Sequence, residues 1–191
     1  MNQTELIVAL QQGDEQAFKK LIDEWQSMVY NTALSIIQNE DEADEITQEV
    51  FIKVFQSISS FKGDAKISTW LYQITVNKSL DYLKKEKQKK RFGFVQFLWG
   101  SNNAEVAEPA LFYHPGVAME KKEASAALFK AIKKLPNNQR IAFTLHKVEG
   151  QKYNEIASIM NMSLQAIESL IARAKINLKK ELEVFYKNNI V

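Results

Sequence analysis

Apolar residues recur along this chain every three or four positions, and no stretch shows the strict alternation of a half-buried strand. The elements it predicts are therefore helices almost throughout. A short helix is predicted from Thr4 to about Gln11, and Gly13-Asp14 punctuates the chain after it, with Asp14 as N-cap. A long helix to about Gln38 follows, with Phe18, Leu21, Ile22, Trp25, Met28, Val29, Thr32 and Ile36 on one stripe. Asn39-Glu40-Asp41 breaks it. The next helix, from about Asp41 to Ser57, buries Ala43, Ile46, Val50 and Val54, with Phe51 beside them. Ser59 to Lys66 is a loop. A fourth helix starts at Ile67 or Ser68 and runs into the basic stretch Lys84 to Arg91.

Periodicity lapses from Phe92 to Gly116, a segment holding Gly93, Gly100, Ser101, Asn102, Asn103, Pro109 and Pro115. It reads as a linker. Its aromatics (Phe92, Phe94, Phe97, Trp99, Phe112, Tyr113) are too many for a solvated tether, so part of it is expected to dock. Helical spacing returns near Val117, pauses at Leu135-Pro136-Asn137 and continues through three more helices to about Tyr186. The predicted fold is all-α: two small helical domains, 1–91 and 117–191, joined by an irregular linker over 92–116.

Within the second domain, Tyr153 to Leu170 reads as two short helices about a tight turn. Ile156, Ala157 and Met160 form the inward stripe of the first, Ile167 and Leu170 that of the second. Ala157 is small enough for a close crossing. Asn161 tolerates the left-handed conformation that ends a helix, and Ser163 can accept a backbone N–H at the next start. This is a helix-turn-helix, whose second helix enters the DNA major groove. Its outward residues are Gln165, Glu168, Ser169, Ala172 and Arg173. Gln pairs with adenine, Glu accepts from cytosine N4, and Arg pairs with guanine or phosphate. Arg173, Lys175, Lys179 and Lys180 continue toward phosphates. The plainer alternatives are an ordinary helical hairpin and a Glu168 that only solvates its face.

The net charge of +2 says little, but its distribution does. Residues 1–60 carry eleven acids and three bases, net −8; residues 61–91 carry nine bases and three acids, net +6. Such segregation suits different partners for different surfaces. Acids at Glu40, Asp41, Glu42, Asp44 and Glu45 favour a helix N-terminus. Their surplus, with Gln48 and Glu49, suggests a face for a basic protein. On the fourth helix, Trp70, Asn77 and Asp81 fall within about 40° of one another, with Lys84 alongside and Ile74 between. An aromatic above a basic tail suits unstacked bases and a phosphate backbone, although core packing is the commoner fate of a lone Trp.

No cysteine is present, which excludes disulfides and thiolate chemistry and fits a reducing compartment. The N-terminus lacks a basic region followed by an apolar core, and no apolar run approaches the ~20 residues of a membrane span, so a soluble, cytoplasmic protein without membrane insertion is expected. His114 and His146 stand alone, outside any metal-ligand spacing, and are expected on a loop or the surface. Neither a phosphate loop nor a nucleophile elbow appears. The expectation is a non-enzyme without metal or cofactor.

Two long motifs in order carry a resemblance. The first runs from Asp41 to Phe55 (DEADEITQEVFIKVF) and on through Phe61 to Asn77 (FKGDAKISTWLYQITVN). The second is Leu135 to Arg140 (LPNNQR), then Glu149-Gly150 and the helix-turn-helix. The chain resembles the extracytoplasmic-function branch of the sigma-70 family of bacterial sigma factors. That resemblance implies core RNA polymerase and promoter DNA as partners. Asp41, Asp44, Gln48 and Glu49 would grip the β′ clamp helices, and the β flap is a further implied contact. Phe61, Lys62, Gly63, Asp64 and Ser68 in the loop, with Trp70, Asn77 and Asp81, would capture flipped minus-ten bases. Lys84 and Lys85 would follow phosphates. Ser163, Gln165, Glu168, Ser169, Ala172, Arg173 and Lys175 would read the minus-thirty-five element. The linker would thread toward the polymerase cleft, and an anti-sigma factor is an implied regulator. Glu168 and Leu170 depart from the basic residues many family members carry there, which shifts the expected base preference. The competing readings are a one-component regulator that binds a palindrome as a dimer, and a helical interaction module that never touches DNA.

Overall fold

Capping chemistry sets the helix boundaries. The computed structural model describes residues 3–63, 65–98 and 122–189. Helix α1 spans Gln3–Gln11 and α2 spans Glu15–Ile37. Between them Asp14 caps α2, its carboxylate accepting from the Gln16 and Ala17 amides at 2.8 and 3.1 Å. That satisfies donors which a helix start leaves open. Gln38 ends α2 in the left-handed region (φ 58°), and the Asn39 side chain then accepts from the Glu42 amide at the start of α3, Glu40–Ser57. A single 3₁₀ turn, Ile58–Ser60, leads into the loop before α4, Ile67–Leu98.

The second half holds α5 (Lys122–Lys134), α6 (Asn137–Lys147), α7 (Tyr153–Met160) and α8 (Leu164–Asn189). No strand occurs among the described residues. One boundary differs from expectation. Helix α4 stays helical to Leu98, past the boundary at 91 and into the segment read as linker, because one Gly93 costs a helix only about 1 kcal/mol. Helix α5 is described from Lys122 on, and residues 117–121, where helical spacing returns in the sequence, lie outside the described residues. Asp64, His114 and the linker residues 99–121, with the docking expected of their aromatics, lie outside the described residues.

Helices α2, α3 and α4 pack on one another as a three-helix bundle, with α1 against α2 and the 3₁₀ turn. Leu21, Val29, Leu34 and Ile36 of α2 meet Val50 and Val54 of α3 and Leu71 and Val76 of α4 in a core closed to solvent. Full burial of each such side chain contributes about 1.5–3 kcal/mol. The same core continues into the second half through Ile141 and Leu145 of α6, Ile156 and Ile159 of α7, and Ile167 and Ile171 of α8. A smaller cluster around Phe129, Ile132, Leu135, Phe143 and Leu178 seats α5. The two units pack directly, α6 against α2 and α7 along α4.

Candidate polymerase- and nucleic-acid-binding faces

The acidic start of α3 presents one coherent face. At 100° per residue, Asp41, Asp44, Gln48, Ile52 and Phe55 share about 80° of the helix surface. Asp41, Asp44 and Gln48 are exposed. So are Ile52 at 57% and Phe55 at 64%, although both are large and apolar. Phe55 rests edge-on against Phe18, centroids 5.4 Å apart. Contiguous exposed apolar surface rimmed by charge marks a protein contact. Sequence reading missed this pair; the signal was available, since neither residue falls on the Ala43-Ile46-Val50-Val54 stripe. Glu49 points elsewhere and meets Lys78 of α4 at 2.7 Å. The acidic field reaches back to α2, where burial first, and then Asp44, Glu40 and Asp41, push the Tyr30 phenol up.

The second face joins the 61–66 loop to α4. Phe61 stacks on Trp70, rings 4.7 Å apart and 27° from parallel. Trp70 is half-buried and packs against the core, leaving part of the side chain at the surface. Gly63 turns the loop at φ +78°, a conformation that any side chain would strain. Lys62 is exposed and Ser68 half-buried. Asn77 and Asp81 are exposed on successive turns, and Asp81 lies 3.3 Å from Lys84 in a solvated pair of small energetic consequence. Lys85 is exposed beside it, while Ile74 turns inward. Close to Tyr82, burial and then Glu42 and Glu86 raise the phenol pKa to about 12, so it stays a neutral donor.

The helix-turn-helix folds by the residues that predicted it. Asn161 takes the left-handed conformation (φ 51°, ψ 50°) and closes α7 onto the Ala157 and Ser158 carbonyls. The Ser163 hydroxyl accepts from the Ala166 amide at 3.2 Å, starting α8. The inward stripes are shifted slightly. Ile156 and Ile159 are the deeply buried residues of α7, Ile167 and Ile171 those of α8, while Ala157, Met160 and Leu170 are half-buried at the rim. Ser163, Gln165, Glu168, Ser169, Ala172 and Arg173 are all exposed on one side. Lys175 is exposed too, two turns beyond Glu168 and within about 20° of it around the helix, where it also borders an apolar groove lined by Leu128, Phe143, Leu178 and Leu182.

Instead of a loop or surface place, His146 occupies α6. It is half-buried, its Nδ1 3.1 Å from the Gln151 carbonyl and its ring edge-on to Tyr153, where it braces the turn into α7. No cluster of acidic, histidine or cysteine side chains suited to a metal occurs among the described residues. None of the described helices is long and apolar enough to cross a membrane.

Comparisons with known proteins match the two units separately. Residues 21–89 match the family model Sigma-70 region 2, and residues 125–178 match Sigma-70, region 4. The chain is 31% identical over 170 residues to the ECF RNA polymerase sigma-E factor of Escherichia coli (strain K12), covering 89% of this chain and 88% of that protein. It is 29% identical to the RNA polymerase sigma-H factor of Pseudomonas aeruginosa, covering 94% and 93%. Its fold is similar to that of CnrH, solved in complex with the cytosolic domain of CnrY (TM-score 0.66, 20% identity, 95% and 97% covered). It is also similar to the sigma factor RpoE of Bartonella quintana, solved with the anti-sigma factor NepR (TM-score 0.62, 21% identity, 87% and 97% covered). The region 2 match holds all of α3 with its acidic face and α4 as far as residue 89, the region 4 match holds the helix-turn-helix, and a relative above 30% identity spans both: the chain belongs to the extracytoplasmic-function branch of the sigma-70 family of RNA polymerase sigma factors.

Proposed function

We propose that this protein is a non-enzymatic, cytoplasmic initiation factor that brings core RNA polymerase to promoters and traps the opened strand. The observation that carries this reading is the presence of three chemically distinct outward faces, each built on a rigid helix. The α3 face, acidic at its start with exposed Ile52 and Phe55 beyond, suits a basic and partly apolar helix pair on the polymerase. The Phe61–Trp70 stack, with Asn77 and Asp81 beyond it, suits an unstacked base, and Lys84 and Lys85 suit the phosphates beside it. The start of α8 suits the major groove through Gln165, Glu168, Ser169 and Arg173.

Strand opening costs a few kcal/mol per unstacked step, and each base stacked on an aromatic returns about 1–3 kcal/mol. Trapping therefore needs no ATP. Glu168 favours a cytosine N4 partner in the upstream element. Excess acid in residues 1–60 repels DNA, so the free chain binds promoters poorly until polymerase covers that face. An anti-sigma protein is the expected regulator.

Run-off transcription with core polymerase and a promoter library tests recruitment, opening and sequence choice together. Co-elution with core polymerase and polymerase-dependent transcripts are expected. Tight, sequence-specific binding by the isolated chain, without effect on polymerase, would instead indicate a one-component regulator.

A further inference from the structure

One large apolar side chain on the reading helix serves neither the core nor any contact named so far. Granted the promoter reading above, on which this rests, we infer that Leu164, the first residue of α8, is a specificity residue that takes the 5-methyl group of a thymine in the minus-thirty-five element.

Leu164 is 42% exposed, whereas Ile167, Ile171 and Ala174, which seat α8, are closed to solvent. At 100° per residue it lies about 40° round the helix from Glu168 and about 80° from Ala172, on the flank of the side turned to DNA. The turn before it is rigid. The Met162 amide donates to the Ala157 carbonyl at 3.0 Å, and the Ile167 amide to the Ser163 carbonyl at 3.1 Å. With the Ser163 hydroxyl holding the Ala166 amide at 3.2 Å, the backbone is tied on both sides of Leu164, so its side chain leaves α8 in a fixed direction.

A helix in the major groove presents its first residues to the base edges. Those edges are donors and acceptors, and the apolar exception is the thymine methyl. Leucine set against a donor or acceptor strips its water and returns no bond, which is costly. Set against the methyl, it buries apolar surface on both sides. Glu168, one turn on and about 6 Å farther along the axis, accepts from cytosine N4, so at roughly 3.4 Å per pair the thymine and that cytosine lie within two steps of each other. Ala172 is too short to compete for the methyl. Ile176, also apolar and exposed on α8 at 57%, starts about 18 Å beyond Leu164, more than the roughly 12 Å width of the groove. Leu164 is therefore the apolar side chain of the reading helix placed to meet a base.

The test removes the methyl and nothing else. Core polymerase carrying this chain first selects a promoter from a library by run-off. Each thymine of the selected minus-thirty-five element is then replaced in turn by deoxyuridine, which keeps every donor and acceptor. At one position uracil is expected to lower run-off about fourfold, the worth of one buried methyl. Leu164→Ala should transcribe the thymine and uracil templates equally, and Leu164→Met, which keeps an apolar tip, should still tell them apart. Should Leu164→Ala fold poorly, Leu164→Gln decides in its place, since its amide end gives up the methyl and should be blind to uracil. Uracil without effect at every position, or a selected element without thymine, overturns the assignment. So does a loss in Leu164→Ala of equal size on thymine and uracil templates, which marks a protein contact instead. All three leave the promoter reading standing. Selection of no promoter at all overturns that reading and this assignment with it, so the two failures are distinguishable.

Discussion

Phe55 and Ile52 place the plainest demand on explanation among single residues, since a folded domain gains nothing by leaving them in water. Because both are more than half exposed, Phe55→Ala with Ile52→Ala is expected to cost no more than about 1 kcal/mol of stability, mostly the edge contact with Phe18. Affinity for core polymerase is expected to fall about tenfold, because centrally placed aromatics dominate protein interfaces. Titrating labelled core polymerase with the double variant checks this; unchanged affinity would move the docking face off α3. Phe61 makes the complementary case. Phe61→Ala leaves Trp70 without its stacking partner, so run-off from duplex promoters is expected to drop about tenfold while polymerase binding holds. Equal loss of both would show that the stack merely supports the fold.

Among the elements, α1 connects what the family match leaves out to what it contains. Its Leu6 and Leu10 are buried, and Gln11 donates to the Phe61 carbonyl at 2.8 Å and to the Ile58 carbonyl at 3.4 Å. The region 2 match begins only at residue 21. Helix α1 thereby holds the loop in which Phe61 meets Trp70. Gln11→Ala removes these bonds from a largely exposed site, so melting temperature should barely change. Run-off from duplex promoter should fall about threefold to tenfold, the worth of one or two hydrogen bonds. A template opened beforehand around the minus-ten element should restore it. Lack of rescue on that template would mean α1 acts elsewhere, through polymerase contact or overall stability.

For the whole molecule, stability should respond to pH where the two units meet. Burial pushes the Glu149 carboxyl pKa up in the folded chain, whereas unfolding returns it to water and to about 4.3. A raised carboxyl pKa favours the folded form when protonated, so this contribution is fully present below the unfolded value and is lost as pH rises through the folded one. Tyr72 of α4 lies beside it, its phenol raised to about 12 by burial and then by Glu149, so it stays neutral throughout. Glu149→Gln should therefore raise the melting temperature at neutral pH and leave it nearly unchanged at low pH. An equal effect at both would show that this carboxyl does not take part.

Sequence by itself determined whatever depends on neighbours within about one helical turn. Helical spacing, the Asp14 and Ser163 caps and the left-handed Asn161 follow from local chemistry, and each is found where it was expected. The reading helix and the acidic face were legible for the same reason, because a helix turns 100° per residue and thereby sorts its own side chains. The end of α4 was not legible, because a glycine inside a helix shifts a balance of only about 1 kcal/mol. Only the tertiary structure decided which partner each polar group takes. Glu49 turned from the acidic face to Lys78, His146 into a brace, and Arg140 to a carbonyl 104 residues away. Contacts between distant segments carry no periodic signature, so the packing of the two units on one core could be seen only once the chain had folded.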